Sequence, residues 1–334
     1  MSDLLLNAQG GDERAFAELV APYRRELLAH CYRMLGAGLD AEDALQDALL
    51  DAWKGLSRFE GRSSLRSWLY TVTTNACLKV VRRRPKRMLP IDYGPPADPH
   101  IHQNQPLTES VWIEPYPDEQ LRYEQRETVE LAFVAALQHL PGRQRAALLL
   151  RDVLGFSARE AGEILDATPA SIDSALQRAH KTVESRLPEQ TQQATLGSLE
   201  DGRLREIVDG FVQAWESADV DALVALLADD AAMTMPPQPE WYRGREEVAT
   251  FLARQPFRKV PRWRVVPVRA NGQLAFAQYF WDADARSYRA DAISVLTLEQ
   301  DRIKEITAFR MPELFARFGL PRTVGDRNHT PRLP

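Results

Sequence analysis

At 334 residues, with 44% hydrophobic residues and a formal net charge of −5, the chain is too long for one ordinary helical domain and long enough for two or three separate cores. Its two cysteines, Cys31 and Cys77, lie within helical patterns and form neither a disulfide framework nor a metal-ligand spacing, which fits a reducing cytoplasm. No stretch reaches the roughly 18 apolar residues of a membrane-spanning helix, and the N-terminus lacks a signal-peptide core, so no membrane attachment is expected.

Charge changes sign early in the chain. Up to Phe59 there are six Lys/Arg against ten Asp/Glu, whereas Glu60 to Pro90 holds eight basic residues and one acid. Only the second stretch suits a polyanion, and its local concentration reconciles a negative total with nucleic-acid binding. Residues 40–53, DAEDALQDALLDAW, read as an acidic amphipathic helix, followed by a Gly-containing loop, Phe59–Ser64. A long basic helix comes next. Leu65, Trp68, Leu69, Val72, Ala76 and Val80 form its apolar stripe, which leaves Arg66, Tyr70, Thr73 and Thr74 on or near the open side. Basic and aromatic groups side by side can neutralise phosphates and stack on unpaired bases. Trp53 and Trp68 read as core, and Arg82, Arg83 and Arg84 read either as a phosphate-binding run or as a solvated face. Asn75 sits at the edge of the stripe, where the pattern alone suggests a hydrogen bond within the fold.

Seven prolines between Pro90 and Pro117 disfavour helix and central strand, so this segment reads as a linker. Its WIEPYPD portion is unusually aromatic, which raises the alternative that Trp112 and Tyr116 are pinned to a neighbouring domain. A helix is expected over about Leu121–Leu140. Residues 156–187 then read as two short helices joined by a tight turn. Ser157 and Glu160 form a capping box, Thr168 can cap the second helix, and Pro169 suits its first position. Only Asp166-Ala167-Thr168 separates the helices, the connection of a helix-turn-helix. Ile172, Leu176, Ala179 and Val183 should be buried, which leaves Ser171, Asp173, Ser174, Gln177, Arg178 and Lys181 facing outward. Gln177 or Arg178 can pair with a purine edge in the major groove and Lys181 with phosphate. A helical hairpin with an ordinary solvated face fits the same pattern.

Three collinear segments, DAEDALQDALLDAW, RSWLYTVTTNACLKVVRRR and LPGRQRAALLLRDVLGFSAREAGEILDATPASIDSALQRAH, closely resemble the ECF (extracytoplasmic function) sigma factors, the promoter-recognition subunits of bacterial RNA polymerase. The resemblance covers residues 1 to about 188. It implies that Asp40, Glu42, Asp43, Gln46, Asp47, Leu50 and Trp53 dock on the polymerase β′ clamp, with a further contact to the β flap. It also implies that Phe59, Arg62, Ser63, Arg66, Tyr70, Asn75 and Arg82–Arg84 meet the −10 element, with Asn75 and the loop holding a flipped-out base. Ser171, Asp173, Ser174, Gln177, Arg178 and Lys181 would face the −35 element. Asp173 stands where relatives often carry Asn or a basic residue, which points to a changed −35 preference. The connector would thread the polymerase active-site cleft.

Beyond a polar stretch at 188–198 the pattern changes. Leu204 to Trp215 and Val220–Leu227 read as amphipathic helices. Strand-like segments follow at Ala231–Met235, Trp263–Ala270, Leu274–Trp281, Tyr288–Glu299 and Arg302–Phe309, with Asn271-Gly272 as a hairpin turn. Helices followed by consecutive strands indicate an α+β domain. FVQAWESADVDALVALLADDAAMTMPP and YRGREEVATFL resemble the SnoaL-like group of cone-shaped α+β domains, which in ECF relatives is thought to modulate sigma activity.

The expected architecture is therefore multidomain: two all-α sigma domains (1–89 and 121–188, the second carrying the helix-turn-helix) joined by a Pro-rich linker (90–120). A second linker (189–200), a SnoaL-like domain (201–320) that contacts the sigma domains, and a tail (321–334) complete it. Met233, Met235, Trp241, Tyr242, Phe280 and Trp281 are the expected lining of a ligand pocket, or else simple core. Asp282, Asp284 and Asp291 are its candidate acids, but no His lies between His180 and His329. Neither catalysis nor a cofactor or metal is expected. The competing reading is a SnoaL-type enzyme or ligand-binding protein with helical DNA-binding appendages.

Overall fold

A computed structural model describes residues 3–101, 105–107, 111–120, 127–260 and 262–325. They fall into two compact units, Met1–Arg87 with Gln120–Pro188, and Met88–Glu119 with Glu189–Pro334. Among the described residues no helix is long and apolar enough to cross a membrane.

The first stretch of unit 1 holds α1 (Asp3–Gln9), α2 (Glu13–Val20), α3 (Arg24–Leu35), α4 (Gly38–Gly55) and α5 (Leu65–Arg83). Asp12 caps α2, Gly36 ends α3 in the left-handed conformation, and Ser64 caps α5 by accepting from Ser67 N at 3.0 Å. Helices α3, α4 and α5 pack on one another around Leu27, Tyr32, Leu69, Tyr70 and Cys77. The chain then enters unit 2 with α6 (Pro90–Tyr93).

Back in unit 1, α7 (Leu131–Gln138), α8 (Gly142–Leu148), α9 (Ala158–Leu165) and α10 (Pro169–Glu184) follow. Of the helix expected over Leu121–Leu140, residues 121–126 lie outside the described ones. Glu127–Val129 form a single 3₁₀ turn and Glu130 is non-helical, so among the described residues the α-helix of this span begins only at Leu131. A π turn, Leu149–Val153, continues α8. Buried arginines tie this stretch to the first. Arg33 donates to Thr128 O at 3.0 Å and Thr128 Oγ1 at 2.7 Å, and Arg145 donates to Met34 O and to Gln138 Oε1 at 2.6 Å.

Unit 2 contains α11 (Gln192–Ser198), α12 (Asp201–Glu216) and α13 (Val220–Ala225), then β1 (Leu227–Thr234) and β2 (Trp241–Arg243). After α14 (Arg245–Arg254) and α15 (Pro256–Lys259) come β3 (Trp263–Ala270), β4 (Gln273–Asp282), β5 (Ser287–Glu299), β6 (Arg302–Phe309) and β7 (Thr323–Val324). The strand order is β2-β1-β6-β5-β4-β3, with β7 on β5, and every pairing is antiparallel except β1 with β6. Asn271-Gly272 forms the β3–β4 turn with both φ values positive, 56° and 69°. Phe211 of α12 lies 4.3 Å from Phe276 of β4, which joins helix to sheet in the core.

Three stretches expected to be unstructured are built into unit 2. In the Pro-rich segment, Met88 bridges to Trp112, Tyr116 N donates to Asn271 Oδ1 at 2.8 Å, and Gly94 O accepts from Trp241 Nε1 at 2.7 Å. Trp112 and Tyr116 are both buried, and Tyr116 is tied to the Asn271 turn, as the aromatic alternative expects of it. The stretch 189–200 carries α11, whose Gln192 exchanges two hydrogen bonds with the Leu298 backbone, at 2.8 and 2.7 Å. Thr323 and Val324, placed in the tail, pair with Arg289 and Tyr288.

Candidate nucleic-acid interface

The turn between α9 and α10 is built by local chemistry. Ser157 Oγ and Ser157 N both donate to Glu160 Oε2, at 2.7 and 2.8 Å, which holds the Glu160 carboxyl below the usual range, and Glu160 N donates to Ser157 Oγ at 3.2 Å. Gly162 permits the turn to close, because a Cβ there would stand 2.6 Å from Ala167 O. Asp166 takes the left-handed conformation with φ 49°, and Thr168 Oγ1 accepts from Ser171 N at 3.2 Å to open α10. Ile172, Ala179 and Val183 are buried, with Leu176 half-buried. Ser171, Asp173, Ser174, Gln177, Arg178 and Lys181 are all exposed. They form one polar row of a size suited to a major groove.

Helix α5 is arranged differently. Its fully buried face carries Ser67, Leu69, Tyr70, Thr73, Thr74, Cys77 and Leu78, while Leu65, Trp68, Val72, Ala76 and Val80 are only half-buried. The expected stripe is thus rotated about the axis. Tyr70, Thr73 and Thr74, expected on the open side, are hidden. The reason is that α5 is flanked on two sides, by α3 and α4 and by α8 and α9, so polar side chains are buried along with apolar ones. Thr74 Oγ1 meets His30 Nε2 at 3.0 Å, and burial followed by the Arg33 charge lowers the His30 pKa to about 3. Arg66 lies over the rings of Phe156 and Tyr70, at 4.7 and 5.1 Å, and reaches Leu154 O at 3.5 Å and Glu26 at 3.4 Å. Asn75 and Arg82–Arg84 remain exposed. In the preceding loop, Phe59 is half-buried against Trp68 at 5.1 Å, Ser63 is half-buried, and Arg62 is exposed and paired with Glu60 at 3.0 Å.

On α4, Glu42, Asp43, Gln46, Asp47 and Leu50 form an exposed face. Trp53, read as core, instead lines the wall of an open groove of about 770 Å³ with Phe16, Arg24, Arg25, Leu45 and Leu50. Asp40 departs from this face. It is buried and binds Arg84 Nη1 and Arg87 Nη2, the latter at 2.5 Å. One carboxylate thus anchors the C-terminal end of the basic stretch to the start of α4, an arrangement invisible in sequence because the partners lie 44 and 47 residues away.

Unit 2 holds a cavity of about 210 Å³. Of the expected lining, Met233, Met235 and Phe280 take part; Trp241, Tyr242 and Trp281 do not. Trp241 binds the Pro-rich segment, Tyr242 stacks on Phe251 at 4.5 Å, and Trp281 lies against the Arg262 guanidinium at 4.5 Å. Trp215, Trp263, Gln278 and Arg310 line the cavity unforeseen, since strand alternation alone does not say which inward residues border a void. Of the three candidate acids only Asp291 reaches it; Asp282 accepts from Asp284 N and Ala285 N in the β4–β5 turn.

Comparison with known proteins divides the chain in the same places as its chemistry. Residues 19–87 match the family model of Sigma-70 region 2, 119–183 that of Sigma-70 region 4, and 208–306 that of the SnoaL-like domain. The ECF RNA polymerase sigma factor SigG of Mycobacterium tuberculosis is 38% identical over 320 residues, covering 93% of this chain and 85% of that protein. SigM of the same species is 31% identical over 178 residues, 53% of this chain and 80% of that protein. The crystal structure of the extracytoplasmic function sigma factor SigJ, also from Mycobacterium tuberculosis, superposes with a TM-score of 0.59 at 19% identity, over 90% of this chain and all of that one, and so shares the fold.

Proposed function

Because the chain belongs to the ECF RNA polymerase sigma factors, we propose that it docks on core RNA polymerase and directs it to promoters, with its SnoaL-like unit as the modulator. The division of labour follows the expected domains, 1–89 for core and −10 binding, 121–188 for the −35 element and 201–320 for regulation. Glu42, Asp43, Gln46, Asp47, Leu50 and Trp53 present an acidic, partly apolar face beside an open groove, which suits the β′ clamp helices. Asp40 supports that face from within by holding Arg84 and Arg87. The β flap remains the partner expected for region 4.

The observation that carries the reading is the α10 row, Ser171, Asp173, Ser174, Gln177, Arg178 and Lys181, exposed on a capped helix-turn-helix. It is assigned to the −35 element. Asn75 and Arg82–Arg84 are assigned to the −10 element together with Phe59, Arg62 and Ser63. Arg66 and Tyr70 join them only after Leu154 and Phe156 move away, so unit 1 must open when it engages polymerase. Unit 2 is read as a non-catalytic regulator that acts through the Pro-rich connector, which it holds by Tyr116 and Gly94. Polymerase and promoter place the protein's work in the cytoplasm. In vitro transcription with core polymerase and start-site mapping, using the full chain and a version ending at Ser198, tests the reading. One defined promoter class and a changed output on truncation are expected; failure to bind core polymerase overturns it.

A further inference from the structure

The cavity of unit 2 combines an apolar bowl with polar groups in which N–H donors outnumber carboxylates. Its wall includes Trp215, Met233, Met235, Phe251, Trp263 and Phe280. Gln278 and Trp215 are 1% and 3% exposed, yet Gln278 Nε2 and Trp215 Nε1 have no hydrogen-bond partner among the described residues. Ser294 already donates to Gln278 Oε1 at 2.6 Å, so the amide's spare capacity is its N–H donors. Buried N–H groups are normally paired, and two orphans beside one void mark a missing acceptor. The charges agree. Lys259 and Arg310 border the cavity, and its one carboxylate, Asp291, is engaged by Arg310 at 3.2 Å.

We propose that this cavity binds a small carboxylic acid with a compact apolar body, so that unit 2 is a receptor for such a metabolite. The carboxylate supplies the acceptors that Gln278 Nε2 and Trp215 Nε1 lack, Lys259 and Arg310 add positive charge at the rim, and the body fills the Met and aromatic bowl. Size restricts the class. A cavity of about 150 Å³ accommodates benzene, so about 210 Å³ suits one ring with a short acidic arm. For an amine the one carboxylate in the lining, Asp291, is already paired with Arg310. With no His between His180 and His329, the site lacks the usual neutral-pH base, which favours sensing over turnover. The inference goes beyond the sigma reading and does not depend on it, because the readout is binding rather than transcription.

The test is titration of the full chain with phenylacetate, phenylacetamide and phenethylamine, followed by intrinsic tryptophan fluorescence and thermal unfolding. Phenylacetate is expected to saturate the signal and raise the melting temperature, the amide to bind about tenfold more weakly for want of a charge-assisted bond, and the amine not to saturate. Arg310→Gln should erase the preference for acid over amide, and Met235→Trp, checked for folding by circular dichroism, should remove binding of both. Saturation by none of the three, preference for the amine, or phenylacetate binding unchanged in a folded Met235→Trp protein each overturns the proposal.

Discussion

Helices α5 and α10 both carry polar rows suited to DNA, but only α10 keeps its whole row in solvent. On α10 the apolar residues Ile172, Ala179 and Val183 are buried against α8 and α9, and Asp173, Ser174, Gln177 and Arg178 are left free. On α5 the polar residues Thr73, Thr74 and Tyr70 are themselves buried, and Arg66 is spent on Phe156 and Leu154. The same unit thus carries one exposed polar row and one that is masked. Under the proposed function, promoter selection through α10 would need no rearrangement of unit 1, whereas strand capture through α5 would require its own regions to part.

The largest effect should come from the arginine that holds those regions together. Arg145→Ala leaves the Met34, Gln138 and Leu140 oxygens without their donor and should destabilise unit 1 by about 3 kcal/mol, measured by urea unfolding. Unit 2 should be unaffected.

Acid should separate the units next. The unfolded chain protonates His30 near pH 6.5, but the fold resists until about pH 3, so this contribution is complete above pH 6.5 and lost as the pH falls, by about 1.4 kcal/mol per pH unit. Unit 2 carries the opposite sign in Glu305, whose carboxyl is pushed up by lost hydration and then by Asp92, so falling pH favours its folded form. Unfolding between pH 7.5 and 5 should weaken unit 1 alone, and His30→Gln should flatten that slope.

Arg178→Ala should weaken binding to the cognate promoter by about 1–3 kcal/mol if it reads a base edge. Equal losses on every sequence in a competition assay would reduce it to a phosphate contact. The smallest effect is expected for Arg66→Ala, about 1 kcal/mol of lost stacking on Phe156 and Tyr70. Faster amide exchange at Phe156 and Ser157 is the sensitive readout, because it reports loosening of the cover on α5.

What was legible in the sequence follows how local the causes are. Ser157, Glu160, Thr168 and Pro169 act within one turn, so the helix-turn-helix was readable to the residue. Most strands are readable from alternation; the three-residue β2 and two-residue β7 are too short to carry a period, and β1 starts at Leu227, inside the span expected to be helix, rather than at Ala231. The α5 stripe was misplaced because a helix flanked on two sides buries polar groups with partners, and the partners His30, Leu154 and Phe156 are remote in sequence. Asp40, expected among the polymerase-docking residues of α4, is buried on Arg84 and Arg87 for the same reason. In the Pro-rich segment, the aromatic residues were the better guide than the prolines, since Trp112 and Tyr116 supply apolar area that a solvated linker does not need.

The most direct test of a masked α5 beside a ready α10 is a distance measurement across the cover. Lys79→Cys and Arg159→Cys place labels on exposed positions of α5 and α9, while Cys31 and Cys77 are buried. Energy transfer between the labels should be high in the free chain and fall sharply in the complex with core polymerase and promoter DNA. Unchanged high transfer in a complex that melts the promoter would contradict the account.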